Sequence, residues 1–184
     1  MFINRIMKKL RNKDLGRMST EDFRKAIKAP IAVVLDDVRS GYNVGSVFRT
    51  ADAFRITCLH LCGITGKPPQ PDIHKTALGA TESVEWKYYE NVIDSIQDLR
   101  SQGFKIFAIE QADQSITLEK FNPEPGQKIA LVFGHEVRGV NEKVMEIIDG
   151  CIEIPQFGTK HSLNISVSAG IVIWHIFQKL DPPR

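Results

Sequence analysis

The chain has 184 residues, of which 42% are hydrophobic and 25% are charged. These values are ordinary for one globular domain that is long enough to bury a hydrophobic core. No run approaches the roughly 18 apolar residues that cross a bilayer, and the first ten residues lack the apolar centre of a signal peptide. The pattern therefore excludes a membrane-spanning or exported protein, and we expect a cytoplasmic one.

The net charge of +2 conceals an uneven distribution along the chain. Residues 1–28 hold nine Lys or Arg against three acidic residues, a balance of +6, so the other 156 residues carry −4. A basic arm on a mildly acidic body indicates a polyanionic partner. The alternative is a solvated helix that happens to be rich in lysine.

The cysteines and histidines indicate neither disulfides nor a metal site. Cys58, Cys62 and Cys151 are odd in number and lie in strand-like apolar runs, which is typical of buried, reduced thiols. The five histidines are scattered without the spacing of a zinc site. We therefore expect no metal.

The arm, residues 1–29, is predicted to hold two short helices. In the first, apolar and basic residues recur at helical spacing, the apolar ones being Ile3, Ile6, Met7 and Leu10 and the basic ones Arg5, Lys8, Lys9 and Arg11. The second opens at Ser19 or Thr20 and runs to about Lys28. Pro30 separates this arm from the body, residues 30–184.

In the body, strands and helices alternate. Strands are predicted at residues 31–35, 57–62, 84–89, 104–109, 128–133 and 151–154, and helices at 43–54, 72–78, 91–101, 141–148 and from Ser162 or Asn164 to about 180. This alternation predicts an α/β fold, a mostly parallel sheet with helices on both faces. Residues 111–127, with two prolines and a glycine, break the rhythm and are predicted to be functional or mobile rather than structured.

The final helix is apolar around nearly its whole circumference, and such a helix is buried on all sides. One face can pack on the sheet of its own chain, and the other needs a second cover. A partner subunit is the expected cover in a chain of this length.

Ligands of open α/β sheets bind beyond the carboxyl ends of the strands, and four strand exits here are rich in polar residues and glycine. They follow residues 35, 109, 133 and 154. The sequence holds no G-x-G-x-x-G after the first strand, no G-x-x-x-x-G-K-[ST] and no G-x-S-x-G. A Rossmann dinucleotide site, a P-loop and a serine hydrolase of that type are thereby unsupported.

Three of these exits carry specific motifs: NVGSVFRT at 43–50, LVFGHEVRGV at 131–140 and IEIPQFGTKHSLNIS at 152–166. In order and spacing they resemble the signature motifs of the SpoU (TrmH) RNA ribose methyltransferases, a family of the SPOUT superfamily. The segment KTALGA at 75–80 is also similar to that family. The resemblance covers about residues 30–180. It implies a deep trefoil knot near the C-terminal end, S-adenosylmethionine as methyl donor, and a homodimer whose active sites borrow residues from both chains.

The resemblance also implies roles for single residues, each with a simpler alternative. The catalytic set would be Asn43 and Arg49 from the first motif, Glu136 from the second, and Ser162 and Asn164 from the third. Backbone groups of Ile109, Gly134, Ile154 and Leu163 would hold the donor, and the substrate contacts would be Arg5, Lys8, Lys9, Arg11 and Arg138. Alternatively, Arg49 is an ordinary surface charge, Glu136 is purely structural, and Asn43, Ser162 and Asn164 only cap helices.

The function expected from these motifs is methyl transfer to a ribose 2′-hydroxyl of structured RNA. A short arm on a bare catalytic domain favours tRNA slightly over rRNA. The competing hypotheses are an idle RNA-binding module that keeps the fold and a small-molecule methyltransferase of similar fold. The presence of all five polar motif residues argues against the first, and the basic arm argues against the second.

Overall fold

A computed structural model of the protein describes residues 7–11 and 14–180. Within them lie strands β1 Ala29–Asp36, β2 Ile56–Cys62, β3 Trp86–Tyr89, β4 Phe104–Ile109, β5 Ile116–Thr117, β6 Lys128–Phe133 and β7 Gly150–Glu153. The helices are α1 Thr20–Lys25, α2 Gly41–Ala53, α3 Pro71–Ala77, α4 Ala80–Ser83, α5 Val92–Ser101, α6 Glu142–Met145 and α7 Ile165–Lys179. No helix in this described part is long and apolar enough to cross a membrane.

The strands form one seven-stranded sheet in the order β3-β2-β1-β6-β4-β7-β5, and every pair is parallel. At the centre, Leu35 of β1 pairs with Leu61 of β2 on one side and with Phe133 of β6 on the other. All three side chains are buried, as expected of strands covered on both faces. The prediction of an α/β fold with a parallel sheet is confirmed.

Successive residues of the central strands point to opposite faces of the sheet and belong to two separate apolar clusters, one on each face. Val33 and its in-phase neighbours pack with α2, α3 and α7, whereas Val34 and its neighbours pack with α5 and α6. The helices therefore cover both faces, as the sequence predicted. Cys58, Cys62 and Cys151 are free and buried.

Side-chain caps fix where the main helices begin. Asn91 and Asn164 cap α5 and α7, in agreement with the sequence prediction. The cap of α2 is Ser40, whose Oγ accepts the backbone N–H of Asn43 over 3.3 Å. The alternative interpretation of Asn43 as a helix cap is therefore wrong. Asn43 is the third residue of the helix, because Ser40 already supplies the capping oxygen three residues earlier.

Residues 111–127 are more ordered than predicted. They contain β5, which pairs with the exposed edge of β7, and they bury Leu118 and Phe121. Lys179 of α7 fixes the segment, since its Nζ donates to the carbonyl oxygens of Glu119 at 3.1 Å and Phe121 at 2.5 Å. Part of this segment therefore pairs with the free edge of the sheet, and only the rest of residues 111–127 is irregular.

The arm differs from its prediction in part. Residues 7–11 are not helical, while Ile3, Arg5 and Ile6 lie outside the described residues. The second helix is present as α1 but ends at Lys25, three residues early, and α6 is likewise shorter than predicted. The short α4 was not predicted.

The helix α7 buries one side in the core and leaves a second apolar face uncovered by this chain. Ile165, Ala169, Val172, Ile173 and Ile176 are buried. The uncovered face consists of Val167, Ile171 and Trp174, which are 49%, 39% and 48% exposed. A second cover for this helix stays a prediction.

Candidate active site

A cavity of about 580 Å³ lies at the carboxyl edge of the sheet, where β4, β6 and β7 end. Its walls come from residues 109–111 after β4, residues 133–139 after β6, parts of residues 154–165 after β7, and the first turn of α7. Three of the four polar strand exits predicted from the sequence therefore open into one space. The fourth, after β1, reaches it through hydrogen bonds described below.

The loop after β6 is folded tightly around a bare glycine. His135 and Gly139 exchange two backbone hydrogen bonds, of 3.0 and 2.8 Å. This closure brings the Gly139 carbonyl so close to Gly134 that a Cβ on Gly134 would lie 2.1 Å from its oxygen. Only glycine fits here, and the cavity wall at Gly134 is consequently main chain.

Glu136, from the same loop, accepts hydrogen bonds at the N-terminal end of α2. Its carboxylate oxygens accept the backbone N–H groups of Arg39 at 3.2 Å and Ser40 at 3.1 Å. Burial by itself would raise the pKa of Glu136, but these bonds, its own backbone N–H and the Asn43 side chain together lower it. Glu136 is therefore an anion fixed at a helix N-terminus, where the helix dipole also favours negative charge.

Two amide side chains continue this connection across the cavity mouth. Asn43 donates to Glu136, and its Oδ1 accepts Asn164 Nδ2 over 3.1 Å. Asn164 uses its own Oδ1 to accept the backbone N–H of Ser166 at 2.9 Å and so caps α7. One residue from each of the three motifs thus joins a single hydrogen-bonded row.

Glu110 and Gln111, which the sequence reasoning did not single out, hold the loops together. Glu110 Oε2 accepts the backbone N–H of Val140 at 3.2 Å, and Gln111 Nε2 donates to the His161 carbonyl at 3.0 Å. Their position directly after β4, at one of the polar strand exits, was the only feature of the sequence that could have identified them. The neighbouring sequence does not indicate which distant backbone groups they bind.

Most of the predicted site residues meet at this cavity. The four residues predicted to hold a donor, Ile109, Gly134, Ile154 and Leu163, all line it. Glu136, Arg138, Ser162 and Asn164 line it too, and Arg138 lies 3.7 Å from the Asp37 carboxylate. Asn43 contacts it through Asn164.

Arg49 is not among the residues of this cavity; it is exposed and lines a second one. It lies six positions after Asn43 in the helix, which corresponds to about 9 Å along the axis and roughly 240° around it. The two side chains therefore point to different sides of α2. Lys8, Lys9 and Arg11 are exposed and line neither cavity, and Arg11 is paired with Asp14 at 3.0 Å.

The chain resembles known proteins both in sequence and in fold. Residues 30–174 match the model of the SpoU rRNA Methylase family. An uncharacterized tRNA/rRNA methyltransferase of Borreliella burgdorferi is 32% identical over 173 residues, which make up 94% of this chain and 74% of that protein. A tRNA (guanosine(18)-2'-O)-methyltransferase of Thermus thermophilus is 25% identical over 158 residues, or 86% of this chain and 79% of that protein.

Solved structures with the same fold include two relatives. The A. aeolicus TrmH/SpoU tRNA modifying enzyme superposes with a TM-score of 0.76 at 26% identity, over 88% of this chain and 80% of its own. The AdoMet-bound rRNA methyltransferase of Sinorhizobium meliloti superposes with a TM-score of 0.75 at 25% identity, over 83% of this chain. The present chain spans 58% of that second structure.

Proposed function

Because the chain belongs to the SpoU rRNA Methylase family, we propose that it transfers a methyl group from S-adenosylmethionine to a ribose 2′-hydroxyl of structured RNA. The observation that carries the proposal is that the second and third motifs line one cavity and the first motif is hydrogen-bonded to both of them. Glu136, Asn43 and Asn164 are joined there in one hydrogen-bonded row. Such a row holds polar groups in fixed positions, as alignment of two reactants requires.

The first cavity fits the proposed donor in size and chemistry. Its volume of about 580 Å³ lies within the usual range for small-molecule sites. Ile109 and Ile154 give it an apolar lining, and bare main chain at Gly134 allows close approach of a ligand. These residues, with Leu163, would hold the donor. When bound, S-adenosylmethionine supplies a methyl group already activated by a positively charged sulfur.

The place of Arg49 supports a homodimer. Within one chain, Arg49 lines a different cavity from Ser162, Asn164 and the proposed donor residues. A second chain would bring its own Arg49 to this site. It would also cover the apolar face of α7, formed by Val167, Ile171 and Trp174. Within this proposal we include the family's knot, which would involve the segment from β7 to α7.

In this mechanism, Arg49 acts as a positive charge rather than as a base. A guanidinium keeps its proton in proteins, so it cannot serve as a base. It can lower the pKa of the ribose hydroxyl or hold the adjacent phosphate in a forked hydrogen bond. Glu136, Asn43, Ser162 and Asn164 would orient the ribose and the loops around it.

The arm and the second motif would contact the RNA backbone. Lys8, Lys9 and Arg11 are exposed basic residues, and Arg5, which lies outside the described residues, belongs to the same charge cluster. Arg138 at the cavity mouth is the further expected contact. These contacts would make RNA affinity fall steeply with salt. As the substrate, we place structured tRNA slightly ahead of rRNA.

The direct test of this function is methyl incorporation into RNA isolated from a strain that lacks the gene. The purified protein is expected to transfer labelled methyl groups from S-adenosylmethionine to that RNA, and mapping of 2′-O-methyl positions would identify the nucleotide. Calorimetry should show donor binding without RNA. Tight RNA binding with neither donor binding nor transfer would favour the idle RNA-binding module instead.

Mixed dimers test the sharing of the site between chains. Arg49→Ala is expected to abolish transfer while donor binding stays near normal, and Ser162→Ala is expected to impair transfer strongly. If Arg49 acts on the partner's cavity, mixing the two defective variants restores one intact site in each mixed dimer. If both residues act within one chain, mixing restores nothing.

A further inference from the structure

The second cavity, of about 550 Å³, has one wall from the arm that precedes the family domain and the others from the body. Residues 16–20 and Phe23 form one wall, the last turn of α2 together with Arg55 just beyond it forms another, and residues 77–83 form the third. The motif segment KTALGA, residues 75–80, which the proposed function does not use, contributes part of that third wall.

The arm is anchored at this point rather than loosely attached. Phe23 is buried in the core, and Arg24 donates from Nε at 3.1 Å and Nη2 at 2.6 Å to the Glu82 carbonyl. Gly16 has a φ of +57°, a conformation that glycine adopts without strain, and the next residue, Arg17, enters the cavity wall. Arg17 therefore has a defined place beside α2.

Two guanidinium groups of the cavity are free to bind a ligand. Among the described residues, the side chains of Arg17 and Arg49 have no hydrogen bond and no ion pair, unlike Arg24. Of the two acidic residues in the lining, Asp52 accepts a hydrogen bond from Ser83, and Glu82 is the other. With Arg55 the lining carries three positive charges against two negative ones, so it favours an anion.

Beside these charges the cavity presents apolar surface to solvent. Met18 is 53% exposed and Leu78 is 66% exposed, and both belong to the lining. Leu78 has a left-handed backbone conformation, with φ of 51°, and ends α3. Free guanidinium groups next to exposed apolar side chains match the two parts of a nucleotide, its phosphate and its base.

We propose that this cavity binds one nucleotide of the substrate RNA, with Arg17 and Arg49 on the phosphate and Met18 and Leu78 against the base. The inference rests on the proposed function and deepens it. It assigns to the arm a specific positioning residue, Arg17, next to the arginine of the first motif. It also gives residues 77–80 of the KTALGA segment a role, because they form part of one wall of this nucleotide site.

The test is the salt dependence of binding to an unmodified tRNA transcript, measured by fluorescence anisotropy over a series of KCl concentrations. Arg17→Ala should weaken binding about tenfold near physiological salt and reduce the slope of log K against log[KCl] by about 0.7–0.9, the value for one lost phosphate contact. Arg17→Lys should keep the slope because it keeps the charge. Leu78→Ala should weaken binding without changing the slope.

The matched control is Lys105→Ala, which removes a positive charge at the far end of β4, where Lys105 pairs with Asp149 at 3.4 Å. It should leave RNA binding unchanged. All variants should bind S-adenosylmethionine like the wild type, which separates this site from the donor cavity. An Arg17→Ala slope equal to the control's would overturn the phosphate assignment, and unchanged affinity of Leu78→Ala would overturn the base assignment. Failure of the wild type to methylate RNA would instead reject the proposed function.

Discussion

Asn164 Nδ2 donates a hydrogen bond to Asn43 Oδ1 over 3.1 Å and so joins two residues 121 positions apart in the chain. The bond connects the residue that caps α7 to the first turn of α2. Since Asn43 also binds Glu136, displacement of any member of this row disturbs the other two. The stability of the protein and the shape of its cavity are thereby linked.

Asn164→Ala should lower the free energy of unfolding by about 1–2 kcal/mol, because it removes a helix cap and a hydrogen bond together. Asn164→Ser is the matched variant, since serine can cap α7 but lacks the amide that reaches Asn43. It should recover about half of the loss. Urea denaturation of the three proteins measures both values, and a serine variant as unstable as the alanine one would contradict the assigned cap.

Gly134→Ala should abolish donor binding and destabilise the protein by about 1–3 kcal/mol, because its Cβ would overlap the Gly139 carbonyl. Gly158→Ala provides the control in the loop after β7. A Cβ there meets no atom within 4 Å, and stability should stay within about 0.5 kcal/mol of the wild type. Thermal unfolding and calorimetry with S-adenosylmethionine distinguish the two. If both variants had the same stability and the same affinity for S-adenosylmethionine, the tight loop at Gly134 would be unimportant for both properties.

Glu136→Gln should be less stable than the wild type at neutral pH, by a margin that shrinks in acid. The folded state holds the pKa of Glu136 below its ordinary value of 4.5. The ionised carboxylate therefore contributes stability above the unfolded pKa, and this contribution is lost as pH falls through the folded pKa. Unfolding free energies of both proteins from about pH 7 to about pH 3.5 give the margin. A margin independent of pH would exclude the charge as its cause.

His60 should make the protein less stable as pH falls below about 6.5. Burial lowers its pKa from 6.5 to about 4, although Asp98, at 4.0 Å, partly opposes the shift. Its Nδ1 lies 2.8 Å from Ser95 Oγ, within the core. The unfolded chain takes up the proton first, so stability is present above pH 6.5 and is lost between 6.5 and 4, by on the order of 3 kcal/mol.

His60→Gln isolates this effect because it cannot take up the proton. Asp36 acts in the opposite direction, since burial raises its pKa to about 6 and its contribution is lost as pH rises from 3.8 to 6. The difference between wild type and variant cancels Asp36. That difference, measured by urea denaturation, should depend on pH between 6.5 and 4. A constant difference would show that His60 is accessible to protons in the folded state.

Local patterns predicted the central elements well because those elements are determined by local chemistry. The continuous apolar run of β1 and the capping residues Asn91 and Asn164 each act within a few positions of the chain. The start of α2 was placed two residues late because both Ser40 and Asn43 are good caps, and only the fold shows which oxygen is used. The two-residue strand β5 was missed because the edge of β7 creates it.

The candidate site was predictable where a motif residue faces the cavity directly, as Gly134 and Ser162 do. It was not predictable where a residue acts on distant backbone, as Glu110 does on Val140. The separation of Arg49 from Asn43 follows from helix geometry alone. What the sequence could not show is that the arm would bring Arg17 to the same cavity as Arg49.

The helix α7 fills the core with Ile165, Val172 and Ile176 and also closes the first cavity with its opening turn. A nascent chain that stops before α7 has been synthesised lacks both the packing of this helix and the closed cavity. In such a chain, the apolar surface of β1 and α2 that α7 normally covers would be exposed to water. Translation that stops early therefore yields a product that is at once inactive and prone to aggregate, never a partly working enzyme.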